Sequence, residues 1–395
     1  MLSRKNANTY CFYFPSLSVG GCEFAFIRFA KYLSTILNKK VYYVDYPDIA
    51  TSLARKELKG TSVTFIDYID GQNSYDLFEE EVCMIAPFTM HGQIPKFKNT
   101  KVLYWLMHPE NVNWLKSRAQ LKKKKLISEI KKLNNKNAIS CMDLVCFNET
   151  QKFFKFKLKK QYVPVPCNVK NKIAPATLID NDTINIAWLG RLDSDKIYAL
   201  INLLEQFDSY KTNLKKKIHI IGSGSSKELI DETKYKIDIV WTSTLLNDDL
   251  DNYLIDHVDI LFAMGMSCLE GANLRIPTIL LSYGLEFFQT DTYHWLFGMS
   301  DYTLGYNVKH ETEYALFKRV NFSAVINAIY LQNKKEQYGR LCLEYSNSHH
   351  TLDAATRCLI TYCDITKYRL EKPLVPKKKN IFKRIFCSLF KRIKS

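Results

Sequence analysis

No stretch of the 395-residue chain approaches the ~18 uninterrupted apolar residues that a bilayer-spanning helix needs, and MLSRKNANTY at the amino terminus has no apolar core before Thr9. The protein is therefore expected to be neither exported by a signal peptide nor threaded through a membrane. No CxxC pair occurs among the eleven cysteines, an odd number scattered along the chain. A disulfide framework and a zinc site are thus poor readings, and a reduced cytoplasm is a good one. No internal repeat of short period is visible. What is present is an ordinary globular composition, 47% hydrophobic and 24% charged, which excludes disorder, collagen and a small disulfide scaffold as descriptions of the whole. At roughly 150 residues per domain the length suggests two or three domains.

The formal charge of +16, from 56 Lys and Arg against 40 Asp and Glu, is concentrated in two places. Lys372 to Ser395 holds nine basic residues and no acid, and Lys116 to Lys136 holds nine against Glu129. The remainder is close to neutral, so two patches need explaining rather than a basic protein. In the tail, Ile381, Ile385, Leu389 and Ile393 recur every four residues beside Phe382, Phe386 and Phe390. On a helix these cover about half the circumference, with Lys383, Arg384, Lys391 and Lys394 opposite, the pattern of an interfacial helix. PLVPKKK before it reads as a linker. A disordered basic tail and a helix docked on another protein are the alternatives.

Short apolar runs alternate with longer helical patterns, the signature of parallel βαβ units. TYCFYF, KVYYVDY, KVLYWLMH, LVCFN and VPVPCNV read as strands of a first domain. Pro164, Pro166 and the polar stretch through Asp182 mark a boundary. INIAWLG, KIHIIGSG, IDIVW, DILFAMG and PTILLS read as a second series. The expected fold class is α/β, with two doubly wound Rossmann-like domains facing across a cleft. The expected divisions are 1–168, 169–355, a helix over 356–372 returning to the first domain, and a basic linker and surface helix over 373–395.

Four places carry residue types suited to chemistry. Gly20 and Gly21 in SLSVGGCEF lie between a strand and a helix, where missing side chains let backbone N–H groups approach a phosphate; an ordinary βα turn fits as well. Arg191 and Lys196 in WLGRLDSDK follow the first strand of the second domain, at the edge where open α/β sheets bind ligands. A guanidinium and an ammonium there suit a diphosphate, and pairing with Asp193 and Asp195 is the plain alternative. The same DSD invites a metal-binding reading, but its place between two basic residues favours self-neutralisation. In AMGMSCLEGANLRIPTILL a strand gives way to a helix near Ser267, whose free amides suit phosphate. Glu270, one turn in, can accept two ribose hydroxyls or simply complement the helix dipole. His108 in LMHPEN again sits at a strand end, where a lone histidine is more often structural.

In order and spacing GGCE, GRLDSDK, IIGSG and MSCLEGANLRIPTIL resemble the GT-B glycosyltransferases of glycosyltransferase family 4, over most of residues 9 to 365. The AMGMSCLEGA segment is similar to a branch found among bacterial surface-polysaccharide enzymes, such as those of lipopolysaccharide, O-antigen or capsule. The resemblance implies a hexosyltransferase-type enzyme moving a sugar from a nucleotide-sugar donor, UDP-linked by expectation, to a glycan or lipid-linked saccharide, with retained anomeric configuration and no metal or other cofactor. It places Arg191 and Lys196 on the diphosphate and His108 beside the donor sugar, these three being the catalytic set. Glu270 falls on the ribose, Gly20 and Gly21 over the phosphates, and Gly222, Ser223 and Gly224 at the nucleotide end, with Met266, Ser267 and Cys268 supplying the helix start. The family often has two glutamates separated by seven residues; here the first position is Phe262. Rival expectations are a scaffold of the same fold without turnover, a sugar-nucleotide epimerase, and a nucleic-acid binder, for which no module is recognisable. With the two basic patches on anionic lipid, the protein is expected on the cytoplasmic face of the inner membrane.

Overall fold

TKVLYWL and TINIAWL are apolar at consecutive positions, a pattern suited to a strand covered on both faces, and both are buried along their whole length. They are central strands of two separate sheets in the computed structural model of the protein, which describes residues 8–17, 20–119, 123–154 and 156–370. The chain divides into two compact units. Among the described residues, one comprises 8–141, Cys146–Val163 and 358–370; the other comprises Met142–Val145 and Pro164–Arg357.

The first unit holds a six-stranded sheet of β1 (Thr9–Tyr13), β2 (Lys40–Asp45), β3 (Thr64–Asp67), β4 (Val82–Pro87), β5 (Thr100–Leu106) and β6 (Ile139–Cys141). Every neighbouring pair is parallel, in the order β3-β2-β1-β4-β5-β6. Chain order reverses between β1 and β4, which makes that point the switch where a doubly wound sheet opens a crevice. Helix α1 (Gly21–Thr35) buries Phe26, Phe29, Ala30 and Leu33 at helical spacing. Phe26 and Phe29 pack on Trp105 of β5 at 5.6 and 5.5 Å between rings, and the Trp105 indole N–H donates to Val163 O at 2.9 Å. Residues 366–369 return along the start of β5, where the Thr366 hydroxyl and the Tyr368 carbonyl bond to the backbone of Val102.

The second unit repeats the plan with β7 (Thr183–Leu189), β8 (Lys215–Ile221), β9 (Asp238–Thr242), β10 (Ile260–Ala263) and β11 (Thr278–Leu280), all parallel in the order β9-β8-β7-β10-β11. Antiparallel β12 (Thr292–Trp295) and β13 (Val320–Asn321) extend it beyond β11. Two expected strands are corrected. LVCFN lies in a helix, Leu144–Phe153, whose buried Val145, Cys146 and Thr150 recur at helical spacing. VPVPCNV forms no strand, only a single bridge at Cys167, because prolines at 164 and 166 cannot donate to a ladder.

At the amino-terminal edge of this sheet the Lys335 ammonium meets Asp259 at 2.6 Å, and both side chains are shielded from solvent. Asp259 also accepts from the Tyr330 hydroxyl at 2.8 Å and from Ile179 N–H at 3.1 Å, while Lys335 gives a second hydrogen bond to Thr177 O. Such a pair is tolerable because its remaining lone pairs and protons are met. At the carboxyl edge, backbones touch. A Cβ on Gly222, where φ is +143°, would stand 2.1 Å from Gly190 O, and one on Gly224 would stand 2.4 Å from Leu192 O. Leu192 N–H donates to Ser223 O at 2.9 Å and Ser226 N–H to Leu192 O at 2.9 Å, so the loops after β7 and β8 are stitched together.

Two outcomes are expected in unfolding experiments. Asp259→Ala strands a buried ammonium and should cost the second unit about 3–5 kcal/mol in a urea titration. Gly222→Ala should lower the melting temperature of the protein by several degrees. Gly298→Ala, with nothing within 4 Å of its added Cβ, should leave it within about a degree or raise it slightly.

Candidate functional site

The loop that leaves β7 places Arg191 at the sheet's carboxyl edge, exposed and paired with Asp193 at 3.0 Å. Lys196 follows at the start of helix α5 (Ile197–Ser209), its amide bonded to Asp193 O. Among the described residues no carboxylate comes within ion-pair distance of the Lys196 ammonium. Desolvation and the neighbouring Arg191 charge lower its pKa, against the weaker pull of Asp195 and Asp193. Local neutralisation therefore accounts for Arg191 and not for Lys196. The Lys196 side chain is only partly exposed.

Gly222, Ser223 and Gly224 lie against the Arg191 loop through the backbone contacts described above. The Ser223 hydroxyl is 3.0 Å from that of Thr244, and a hollow of about 450 Å³ opens there, lined by Thr244 to Asp249. Gly265, with φ +64°, turns the chain from β10 into helix α7 (Met266–Asn273), and its N–H donates to Leu304 O. Cys268 is fully buried and its N–H returns to Gly265 O, so among the described residues the open donors of this helix start are those of Met266 and Ser267. β10 pairs with β7 in the sheet, so the start of α7 and the Arg191 loop leave neighbouring strands at the same carboxyl edge.

Glu270 is not the isolated acceptor that its position in the sequence suggests. Lys170 reaches it at 3.0 Å and Asp251 at 2.8 Å, within a largely buried triad. Burial opposes the Lys170 charge, but the two carboxylates outweigh it and hold the ammonium above the usual lysine range. Lys170 and Asp251 were invisible to motif reading because each is distant in sequence from Glu270. Phe262 is a core residue of β10, 5.7 Å from Tyr293 and 5.9 Å from Phe322 between rings, in surroundings with no place for a carboxylate.

In the first unit, Gly20 caps the start of α1 in extended conformation. The carboxylate of Glu23, one turn in, accepts from the Ser16 hydroxyl at 2.8 Å and stands 3.0 Å from where a Gly20 Cβ would be. An acid thus already complements the helix start at which Gly20 and Gly21 were expected to meet a phosphate. His108 leaves β5, two strands from β1 in the sheet, so it and the glycines stand at separate strand ends. Its Nδ1 accepts from Glu110 N–H at 3.1 Å, which leaves the proton of the neutral ring on Nε2. Asn111 Oδ1 fixes the backbone by accepting from Met107 and His108 N–H. The imidazole lies 4.4 Å from the half-exposed indole of Trp114, at 25° between planes.

No protein-family model and no curated protein matches the sequence. Solved structures do match. A glycosyltransferase from Rickettsia africae ESF-5 is similar over 92% of this chain and 99% of its own, at 13% identity and a TM-score of 0.54. WaaG, a glycosyltransferase involved in lipopolysaccharide biosynthesis, is similar over 91% and 99% at 10% identity and a TM-score of 0.49. The lipopolysaccharide outer core galactosyltransferase WaaB is similar over 97% and 99%, also at 10% identity, with a TM-score of 0.46. The Rickettsia likeness is one of fold: this chain has the α/β fold of two Rossmann-like units that characterises the GT-B class.

Proposed function

We propose that the protein is a glycosyltransferase that moves a sugar from a nucleotide-sugar donor, UDP-linked in the first instance, to a glycan or lipid-linked saccharide in surface-polysaccharide assembly, with retention of anomeric configuration. The observation that carries this reading is the Arg191 and Lys196 pair. Two cations on one loop, one of them partly withdrawn from water and with no acid at ion-pair distance among the described residues, have an electrostatic deficit that a diphosphate would fill. The Met266 and Ser267 amides at the start of α7 support a phosphate at the same edge. In the transfer, the acceptor oxygen bonds to the anomeric carbon as the carbon–oxygen bond to the diphosphate breaks. The hydroxyl proton passes to the leaving phosphate, whose growing charge Arg191 and Lys196 stabilise. His108 would stand beside the donor sugar, with Gly20 and Gly21 over the phosphates, as the family resemblance implies.

A second reading has its own observation. With Phe262 committed to the core and Glu270 held by Lys170, a protein that binds the nucleotide sugar without turnover, a scaffold for polysaccharide assembly, is the alternative. Release of UDP on incubation with donor and acceptor separates the two.

A membrane-surface location belongs to this proposal. Helix α3 (Lys123–Asn135) turns Leu126, Ile130 and Leu133 inward and leaves Lys124, Lys125, Lys131 and Lys132 exposed, a charged face that would adsorb to anionic lipid at about 1 kcal/mol per residue. The amphipathic tail expected over 373–395 lies outside the described residues. Among the described residues no helix is long and apolar enough to cross a membrane.

Arg191→Ala and Lys196→Ala should each weaken UDP binding about ten- to a hundredfold, as expected for a lost charge-assisted contact of ~1.5–3 kcal/mol, with unfolding midpoints unchanged. Calorimetric titration at a series of pH values adds a check on sign. Only the protonated ammonium attracts phosphate, so affinity, once the terminal phosphate is fully ionised above a pH of about 6, should fall as pH rises through the lowered Lys196 pKa, before an ordinary lysine would deprotonate. Glu270→Gln should lower affinity for UDP and for the sugar nucleotide equally. A loss confined to thermal stability would assign Glu270 to its pairing with Lys170 instead.

A further inference from the structure

Trp114 is the exposed tryptophan among the described residues. Of the five tryptophans, Trp105, Trp188 and Trp295 are buried and Trp241 is half-covered by the Lys227 ammonium 3.9 Å over its ring, whereas Trp114 is 47% exposed on the first turn of helix α2 (Asn111–Ala119). A single exposed aromatic is common and needs no explanation by itself. This one is held in place. His108 stacks on it at 4.4 Å, and His108 is fixed in turn by the Glu110 amide. Glu110 takes a hydrogen bond from the Asn113 carboxamide at 2.7 Å, which orients both polar groups on the same turn. The cluster stands at the carboxyl end of β5, the edge at which open α/β sheets receive ligands.

We propose that Trp114, with Glu110 and Asn113, is a saccharide subsite of the first unit, taking a pyranose ring of the acceptor. A sugar offers an apolar C–H face and a rim of hydroxyls. An indole face matches the first, while a carboxylate that only accepts and a carboxamide that both donates and accepts match the second. A lipid surface is the other partner that an exposed tryptophan suits, especially with Lys116 on the same helix. The Glu110 carboxylate, which precedes the same helix and is bonded to Asn113, opposes it, since an anion is repelled by an anionic leaflet and costly to bury in any. The inference deepens the proposed transferase reading by naming the chemistry of its acceptor, and it rests on residues that reading does not use for the nucleotide.

The test uses the full chain and a panel of maltose, lactose, cellobiose and chitobiose, read by saturation-transfer NMR and by tryptophan fluorescence in a Trp241→Phe background. At least one disaccharide should bind and shift the emission. Trp114→Ala should weaken it at least about tenfold and Trp114→Phe should retain most of the affinity, a rescue that a merely structural role does not produce. No binding by any member of the panel, or equal binding by the parent and Trp114→Ala, overturns the inference. So does a blue shift of Trp114 emission on phosphatidylglycerol vesicles with none on saccharides, which would make it a membrane anchor. UDP titrated in parallel keeps the two proposals apart: a parent that binds UDP and no saccharide fails this one alone.

Discussion

Two like charges close together in a partly dehydrated place are unfavourable unless something of opposite sign is there, and the second unit is built to create that situation. Arg191 has Asp193 as a local partner, whereas Lys196 has none among the described residues and has lost much of its water. The loop that carries both is held in place, because Gly222 and Gly224 bring the β8 loop into backbone contact with Gly190 and Leu192. A side chain at either glycine would enter space already taken by a carbonyl. The arrangement is therefore imposed by the fold, and its electrostatic cost is what an anionic ligand would remove.

The opposite edge of the same sheet is satisfied internally. Asp259 and Lys335 form a dry ion pair in which Tyr330, Ile179 and Thr177 take up the remaining hydrogen-bonding capacity. The contrast matters more than either edge alone. Buried charge that is fully met anchors β10 and the helix beginning at Lys335, while charge that is incompletely met is left at the carboxyl edge, where ligands enter doubly wound sheets. Glu270 falls between these cases, since it shares the Lys170 ammonium with Asp251 and stands one turn into α7.

Much of this was legible in the residues. A strand such as TINIAWL, apolar at nearly every position, has few other solutions than the centre of a parallel sheet, whereas the close approach of the IIGSG glycines to Gly190 and Leu192 appears only in the fold. Where the same logic failed, a different scale was in control. LVCFN has strand-like composition, but the helical spacing that decides its state appears only when Thr150 is included. The pairing of Lys170 with Glu270, and of Lys335 with Asp259, joins residues that no local pattern connects, so their identity as partners emerges only from the folded chain. The antiparallel β12 and β13 escaped notice because they are short and mixed in polarity. Trp114 and His108 are neighbours for the opposite reason: a strand end followed at once by a helix turn stacks them, and only His108 had drawn attention.

The central claim is that the carboxyl edge of the second unit binds a diphosphate through Arg191 and Lys196, and a crystal structure of the protein with UDP tests it most directly. The account predicts phosphate oxygens within hydrogen-bond distance of both the Arg191 guanidinium and the Lys196 ammonium, with the nucleoside toward Ser223 and Thr244. A nucleotide whose phosphates lie elsewhere, leaving Lys196 without an anion, would contradict it.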